Sequence, residues 1–592
     1  MKKVAAGRQI LRLVRGISNP VGPNEGQLFL LKGDPTRGPV SLEISEGIQF
    51  PALWRFECHP FRLKILHFND LHGRISHITR NGDIPVFSKI ASYIRQTHSA
   101  CQNDPFAGEL VFSGGDDAIG YPFDLLTGKD PESYQIHASY HLYSKAGIDA
   151  AAIGNHEFDL GLKMLAHAIR TDASFPVLSA NLRPTPQLEG LCYPAAIFIV
   201  KEVRIGVIGL TTPAQNRNLP GSEYEIVDPI PVVKRLLPIV RSLSDVVIIL
   251  SHLGHSLKSS GAPVKSAGDV ELAQNLPFGS VNLIIGAHTH DPLNENGLDL
   301  NNVVNGIPIT QAGSNGRYLG EVDIVLRNAP IMAHMSLNYT EELPVDVFFE
   351  DNYVRPLLEQ IRPYLDKRLG RMMESSETGA EGCCADAAYS ESALHNFLTD
   401  GLVARCRAKG FEVDFAMLPA SAIQEGLEPG KEFTYGEWLR VMPYPDTLML
   451  CTITGSELFD LIQDNARRVD ISGEPHMERG FLHFSKEIHY RIHINSIRSY
   501  IYAVDIQIRS IPLEKEMDHT YRIACTSFFR GLAHQWEEQA NPGMPLMVFH
   551  PEQAHGLDTG LFVRDLILEH IRHYDGINPQ GGALRDGRMI VF

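Results

Sequence analysis

The chain has 592 residues and a formal net charge of -17, with 44% hydrophobic and 21% charged residues. That length exceeds what one hydrophobic core serves, so two or more domains are expected. So acidic a chain is a poor candidate for gripping a nucleic-acid backbone, and no run nears the roughly 18 apolar residues of a membrane span. Neither nucleic acid nor membrane is therefore an expected partner. A small anionic substrate is not excluded, because a local cluster of cations can override the overall charge. The 8 cysteines form no CxxC pair, which argues against a disulfide scaffold. Arg8, Arg12 and Arg15 interrupt the apolar stretch a secretory leader would need, so the cytoplasm is the expected compartment.

Residues 1–62 read as an N-terminal extension with short alternating segments such as QLFLLKG. A regular pattern then begins. Short apolar runs alternate with amphipathic stretches, as in an α/β layered domain. The runs are LKILHF (63–68), ELVFS (109–113), DAAAIG (149–154), VRIGVIGL (203–210), DVVIILS (245–251) and VNLIIG (281–286). Residues 85–97 and 160–170 have helical spacing. Residues 307–326 read as two strands around a Gly/Asn turn, and 328–343 as a connector. A long helix is expected over 344–373, kinked or divided by Pro356 and Pro363. The expected division is thus an extension (1–62), a first α/β domain (63–340), a linker helix (341–375) and a mixed α/β domain (376–592).

Five of the apolar runs end directly in groups that bind metals. LKILHF leads into Asp70 and His72, and ELVFS into Asp116. DAAAIG leads into Asn155, His156 and Asp159, DVVIILS into His252, and VNLIIG into His288 and His290. Ligands of open α/β sheets bind beyond the carboxyl ends of the strands. Any one of these residues alone is an ordinary turn former or helix cap. Five strand ends delivering Asp, His and Asn to one edge make a convergent site. Imidazole, carboxylate and amide donors without cysteine suit zinc, manganese, cobalt, iron or nickel. A pair of such ions about 3.5–4 Å apart can lower the pKa of a water toward about 7 and clamp a phosphoryl oxygen. Asp159 follows His156 by one helical turn, close enough for the carboxylate to orient the imidazole.

The strings LKILHFNDLHGRI, GNHEFD, SHLG, GAHTHD and QAGSNGRYLGEVDI resemble the 5'-nucleotidase and UDP-sugar hydrolase branch of the calcineurin-like metallophosphoesterases. The resemblance is strong over about 63–330 and weaker beyond. It implies a four-layered α/β/β/α domain, a linker helix and a mixed α/β C-terminal domain. It also implies hydrolysis of a small phosphate ester or anhydride, most naturally a nucleotide, by a hydroxide activated at two divalent ions. Asp70, His72 and His290 would hold the first ion, Asp116 would bridge, and Asn155, His252 and His288 would complete the second. His156 would be catalytic, with Asp159 orienting it. Two rivals share the architecture: a thiosulfate-carrier thiohydrolase, and a binding homologue without catalysis.

The expected reading residues of the second domain are less faithful. Pro419 stands where the family has Asn, and Gln424 near its Arg, while Asn396 and Asp400 survive in the stretch HNFLTD. Candidates for substrate contact are Asn396, Phe481 or Phe484, Phe528 or Phe529, and Arg530. Stacking of a base on such an aromatic face is worth about 1–3 kcal/mol.

Overall fold

The structure is a computed structural model. It describes residues 9–21, 27–51, 60–79, 82–118, 122–128, 130–213, 224–256, 267–327, 329–374, 390–423, 426–442, 446–469, 481–494, 501–526 and 556–592. The chain divides into two compact units, Met1–Ile361 and Arg362–Phe592.

In the first unit the strands that matter are β1 (Gln9–Arg15), β2 (Leu28–Lys32), β3 (Val40–Ile44), β4 (Phe61–Phe68), β5 (Ala107–Ser113) and β6 (Ala150–Ala152). There follow β7 (Ala195–Val200), β8 (Val203–Thr211), β9 (Val246–His252), β10 (Leu283–Ile285), β11 (Ile307–Ala312), β12 (Tyr318–Leu326) and β13 (Pro330–Tyr339). They build two sheets. The larger runs Pro292–Leu293, β11, β10, β9, β8, β7, β2, β1, β3. The smaller runs Cys192–Tyr193, Val177–Leu178, β6, β5, β4, β12, β13. Strands β4, β5 and β6 are mutually parallel, and so are β8, β9, β10 and β11. Their carboxyl ends therefore point to one rim.

Alternation along β4 shows how the layers form. Leu63 and Ile65 enter the core between the sheets, where they meet Leu110, Phe112, Ile205, Val207, Ile248 and Leu250. Phe68 faces the other way, onto Phe87 of the helix Phe87–Gln102 and Tyr143 of the helix Ala138–Ala146. The outer face of the larger sheet buries Ile208, Leu210, Val247 and Ile249 against Val232, Val233, Leu236 and Val240 of the helix Pro229–Ser242. Helix, sheet, sheet, helix is the expected four-layered order. Every residue of β8 and β9 is buried, which is why those stretches read as unbroken apolar runs.

Three expectations need correction. Residues 1–62 are no mere extension: β2 pairs antiparallel with β7 (Leu31 opposite Ala195), so β1, β2 and β3 widen the larger sheet. The Gly/Asn turn lies between β11 and β12, the two strands expected around it. It carries the chain from β11 in one sheet to β12 in the other. The supposed connector is the strand β13, paired along β12. The long helix ends at Leu365, and Arg368–Met372 is a strand. Within it, Glu350–Val354 opens into a π turn just before Pro356, whose missing N–H cannot serve a regular turn.

The second unit holds a five-stranded sheet in the order Leu482–Phe484, Phe415–Pro419, Thr520–Thr526, Thr447–Thr454, Leu557–Phe562. One face packs Phe415, Met417, Phe481 and Phe484 against Leu458, Leu461 and Ile462 of the helix Gly455–Arg467. The other packs Ala416 and Leu418 against Phe397 and Leu402 of Ala393–Ala408 and Leu566 and Ile567 of Val563–His573. Among the described residues, no helix is long and apolar enough to cross a membrane.

Candidate metal centre

The loops that follow β4 and β5 are zipped together by their backbones. Gly114 donates to Phe68 O, Asp70 to Gly115 O, His72 to Asp116 O and Gly73 to Asp117 O, at 2.8–3.0 Å. This ladder aligns Asp70 and His72 with Asp116. It also bends the chain sharply: Asp70, His72, Asp116, His288 and His290 all have positive φ, between 47° and 76°. Left-handed backbone is costly for non-glycine residues, and Asp and His tolerate it better than most. Five residues of the expected ligand set share it.

Close approach of the loops needs glycine. A Cβ on Gly154 would lie 2.2 Å from Asp116 Oδ1, and one on Gly115 2.7 Å from Gly154 N. Asn69 then ties the two sheets at the rim. It donates to Asp70 Oδ2 and to the Gly313 carbonyl, both at 2.6 Å, and accepts from Ala312 N at 2.8 Å. Asn69 carried no role in the sequence reading. Its signal was its place between a buried strand and Asp70.

The structure brings all seven expected ligands to this rim. Asp70 Oδ1 lies 3.3 Å from His290 Nε2, and His290 Nε2 is 3.2 Å from His72 Nε2. Asp116 Oδ2 lies 3.1 Å from His252 Nε2, which is 3.2 Å from Asn155 Oδ1. Three overlapping sets have ligand atoms within 4.8 Å of one another: Asp70–His72–His290, His72–Asp116–His156 and Asp116–His252–His288. Most of these side chains are buried, and His290 stands exposed at the edge. His156 Nδ1 is 2.7 Å from Asp159 Oδ2, and its ring packs edge-on to His72.

Hydrogen bonding aims the free atoms inward. Asp70 Oδ2 is occupied by His288 N–H and Asn69, while Oδ1, fully buried, has no hydrogen-bond partner. His252 Nδ1 is 2.8 Å from the Gly114 carbonyl, which can only accept, so the neutral ring keeps its proton on Nδ1 and turns the Nε2 lone pair to the site. The oxygen faces only imidazoles, with His290 Nε2 at 3.3 Å and His252 Nε2 at 3.9 Å, and a cation there would satisfy it.

The charge balance agrees. Burial pushes His72 down to about 3 and His288 to about 4, so both imidazoles are neutral and able to ligate. Burial alone would also lower His252, but the Asp116 carboxylate outweighs it and raises the group to about 10. His156 is likewise lowered by burial and lifted by Asp159 and Asp116 to about 10. Asp70 would be raised by burial, yet His290 holds it at about 2. The carboxylates of this pocket draw positive charge. With these donors and this unsatisfied oxygen, the residues fit divalent cations.

The expected contacts in the second unit fare differently. Phe481 and Phe484 are 0% and 3% exposed, packed in the core against the helix Gly455–Arg467, and offer no face to a base. Asn396 is equally buried. Its amide donates to Glu391 Oε1 and to the Leu584 carbonyl, so it braces the chain end. These three assignments are corrected. Phe528, Phe529, Arg530 and Gln424 lie outside the described residues.

Comparison with known proteins follows the same division. Residues 63–292 match the calcineurin-like phosphoesterase family, and residues 371–536 match the 5'-nucleotidase, C-terminal domain. The 5'-nucleotidase of Vibrio vulnificus (strain CMCP6) is 28% identical over 448 residues, spanning 70% of this chain and 77% of its own. Two solved structures share the fold. The 5'-nucleotidase precursor from Thermus thermophilus has a TM-score of 0.54 at 21% identity, covering 90% of this chain and 99% of that one. A putative 5'-nucleotidase from Staphylococcus aureus has a TM-score of 0.62 at 17% identity, over the same shares.

Proposed function

This chain belongs to the two-domain calcineurin-like phosphoesterases related to the 5'-nucleotidases, and from that premise we propose that it hydrolyses a phosphate ester or anhydride of a small nucleotide at two divalent cations. Asp70, His72 and His290 would hold one ion and Asn155, His252 and His288 the other, with the Asp116 carboxylate available to both. The observation that carries this reading is the sharing of Asp116 and His72 among overlapping donor sets. One ion cannot use all of them. Cations bound there supply the Lewis acidity that activates water near neutral pH and offsets phosphoryl charge.

The chain's own groups do the rest. Asn69 and His288 N–H hold Asp70 so that one oxygen faces the site. The Gly114 carbonyl fixes the His252 tautomer. Asp159 takes the Nδ1 proton of His156 in a hydrogen bond, which leaves Nε2–H to donate to a phosphoryl oxygen as charge develops there. Such a donor is worth about 10²–10³ in rate.

The test is purified protein with manganese or cobalt, a panel of nucleotides, and released phosphate as readout. Phosphate from at least one nucleotide, abolished by chelation, is expected. No phosphate from any nucleotide, with cleavage of a thiosulfonated peptide instead, would replace this reading with the thiohydrolase one.

A further inference from the structure

Glu157 belongs to none of the donor sets, yet it sits directly behind them and is 5% exposed. Its carboxylate accepts three backbone N–H groups. Oε2 takes Gly154 at 2.7 Å and Asp116 at 3.1 Å, and Oε1 takes Asp117 at 2.8 Å. These amides come from two loops, one after β5 and one after β6. The first loop carries Asp116, and the second carries Asn155 and His156. A reciprocal bond closes the arrangement: His156 N donates to Asp116 Oδ1 at 2.9 Å. A buried carboxyl group is tolerable only when its oxygens are well served.

A side chain bonded to backbone on two separate loops fixes the distance between them. Here that distance sets where Asp116 stands relative to Asn155. Among the described residues Glu157 makes no direct bond to Asp70, His72 or His290, and the β4–β5 loop ladder together with Asn69 holds those residues and Asp116 in one register. The loop after β5 also has a second brace, because Asp117 Oδ1 accepts from Tyr143 OH at 2.7 Å and the Asp117 carbonyl from Ser139 Oγ at 2.6 Å. That brace holds the loop to the helix Ala138–Ala146 without fixing it to the β6 loop. The fold therefore does not depend on Glu157 alone.

We infer that Glu157 is a positioning residue that clamps the β6 loop to the β5 loop, and so sets where Asn155 stands and the affinity of the ion that Asn155, His252 and His288 would hold, while the β4–β5 loop ladder keeps Asp116 in place for the other ion. This rests on the two-ion reading above. It predicts an unequal effect, which a general loss of stability would not give.

The experiment is calorimetric titration of the full-length, metal-stripped chain with Mn²⁺, for the wild type and for Glu157→Gln. The amide keeps the side chain's shape but has one oxygen, so at least one of the three N–H groups loses its acceptor. Circular dichroism melting of the metal-free proteins runs alongside. The wild type is expected to bind two ions. In Glu157→Gln one site is expected to keep its affinity and the other to weaken about 10–100-fold. Equal affinities to the wild type at both sites, or equal weakening of both with a lowered melting temperature, would overturn the clamp and leave the two-ion reading standing. A wild type that binds fewer than two ions would overturn that reading, and the clamp with it. If Glu157→Gln does not fold, Glu157→Asp serves instead. It keeps both oxygens on a shorter stem that no longer spans the two loops, and the same unequal loss is expected.

Discussion

The rim of the first unit and the chain end of the second both bury charged side chains, but they complete the bonding differently. In the second unit Arg588, 3% exposed, donates to Asp400 and Asp586, and Asn396 donates to Glu391. Each group there finds its partner inside the protein. At the rim, Asp70 Oδ1 and His72 Nδ1 are buried with no hydrogen-bond partner, and the residues around them hold left-handed backbone. The second arrangement is a brace. The first is a set of donors held open by the fold at some conformational cost, as a site that receives a cation requires.

Substitutions should separate the two. The largest effect is expected for Asp116→Ala, which removes the shared carboxylate: a fall in kcat/KM of at least about 10⁴-fold, roughly 5 kcal/mol, in the phosphate-release assay. Next is Phe481→Ala in the second unit, expected to cost about 3–5 kcal/mol of stability and to lower the melting temperature of that unit by about 10 °C. At a temperature where the variant is folded, its KM for the nucleotide should match the wild type. A raised KM with an unchanged melting temperature would restore Phe481 as a substrate contact. His156→Ala should lower kcat by about 10²–10³ while Mn²⁺ affinity stays the same. If affinity falls as well, His156 is a ligand.

A pH series tests a group away from the rim, Glu109, whose side chain is buried on β5 beside His98. Burial raises its carboxyl from 4.5 to about 8. The folded chain therefore keeps a proton that the unfolded chain has lost. Its contribution is whole below about pH 4.5 and is lost as the pH rises to about 8, by at most about 1.4 kcal/mol per unit. Glu109→Gln should flatten that dependence, so melting curves of variant and wild type should diverge from pH 5 to pH 8 in the variant's favour. Parallel curves would place the proton elsewhere.

How much of this was legible in the sequence follows from where the constraint lies. Buried parallel strands such as β8 and β9 announce themselves as unbroken apolar runs, and the donors stand at their ends because the chain leaves the core there. The dense strings around Asp70, Asp116 and His156 are short-range, so their alignment could be expected from the strand pattern. The strand β13 was missed because MAHMSLNY alternates on a half-exposed edge, with no strong apolar run. The strands β11 and β12 and the turn between them were legible, but Gly/Asn chemistry is the same whether the chain returns to one sheet or crosses to another. Burial of Phe481 is set by packing against the helix Gly455–Arg467, well upstream in the chain, which local pattern does not reveal.

The central claim is that two cations gather at this rim, and anomalous diffraction at the manganese edge tests it most directly, on crystals of the whole chain grown with Mn²⁺. Two peaks about 3.5–4 Å apart are expected, one among Asp70, His72 and His290 and one among Asn155, His252 and His288, with Asp116 between. A single peak in the pocket, or peaks only at other carboxylates, would contradict the account.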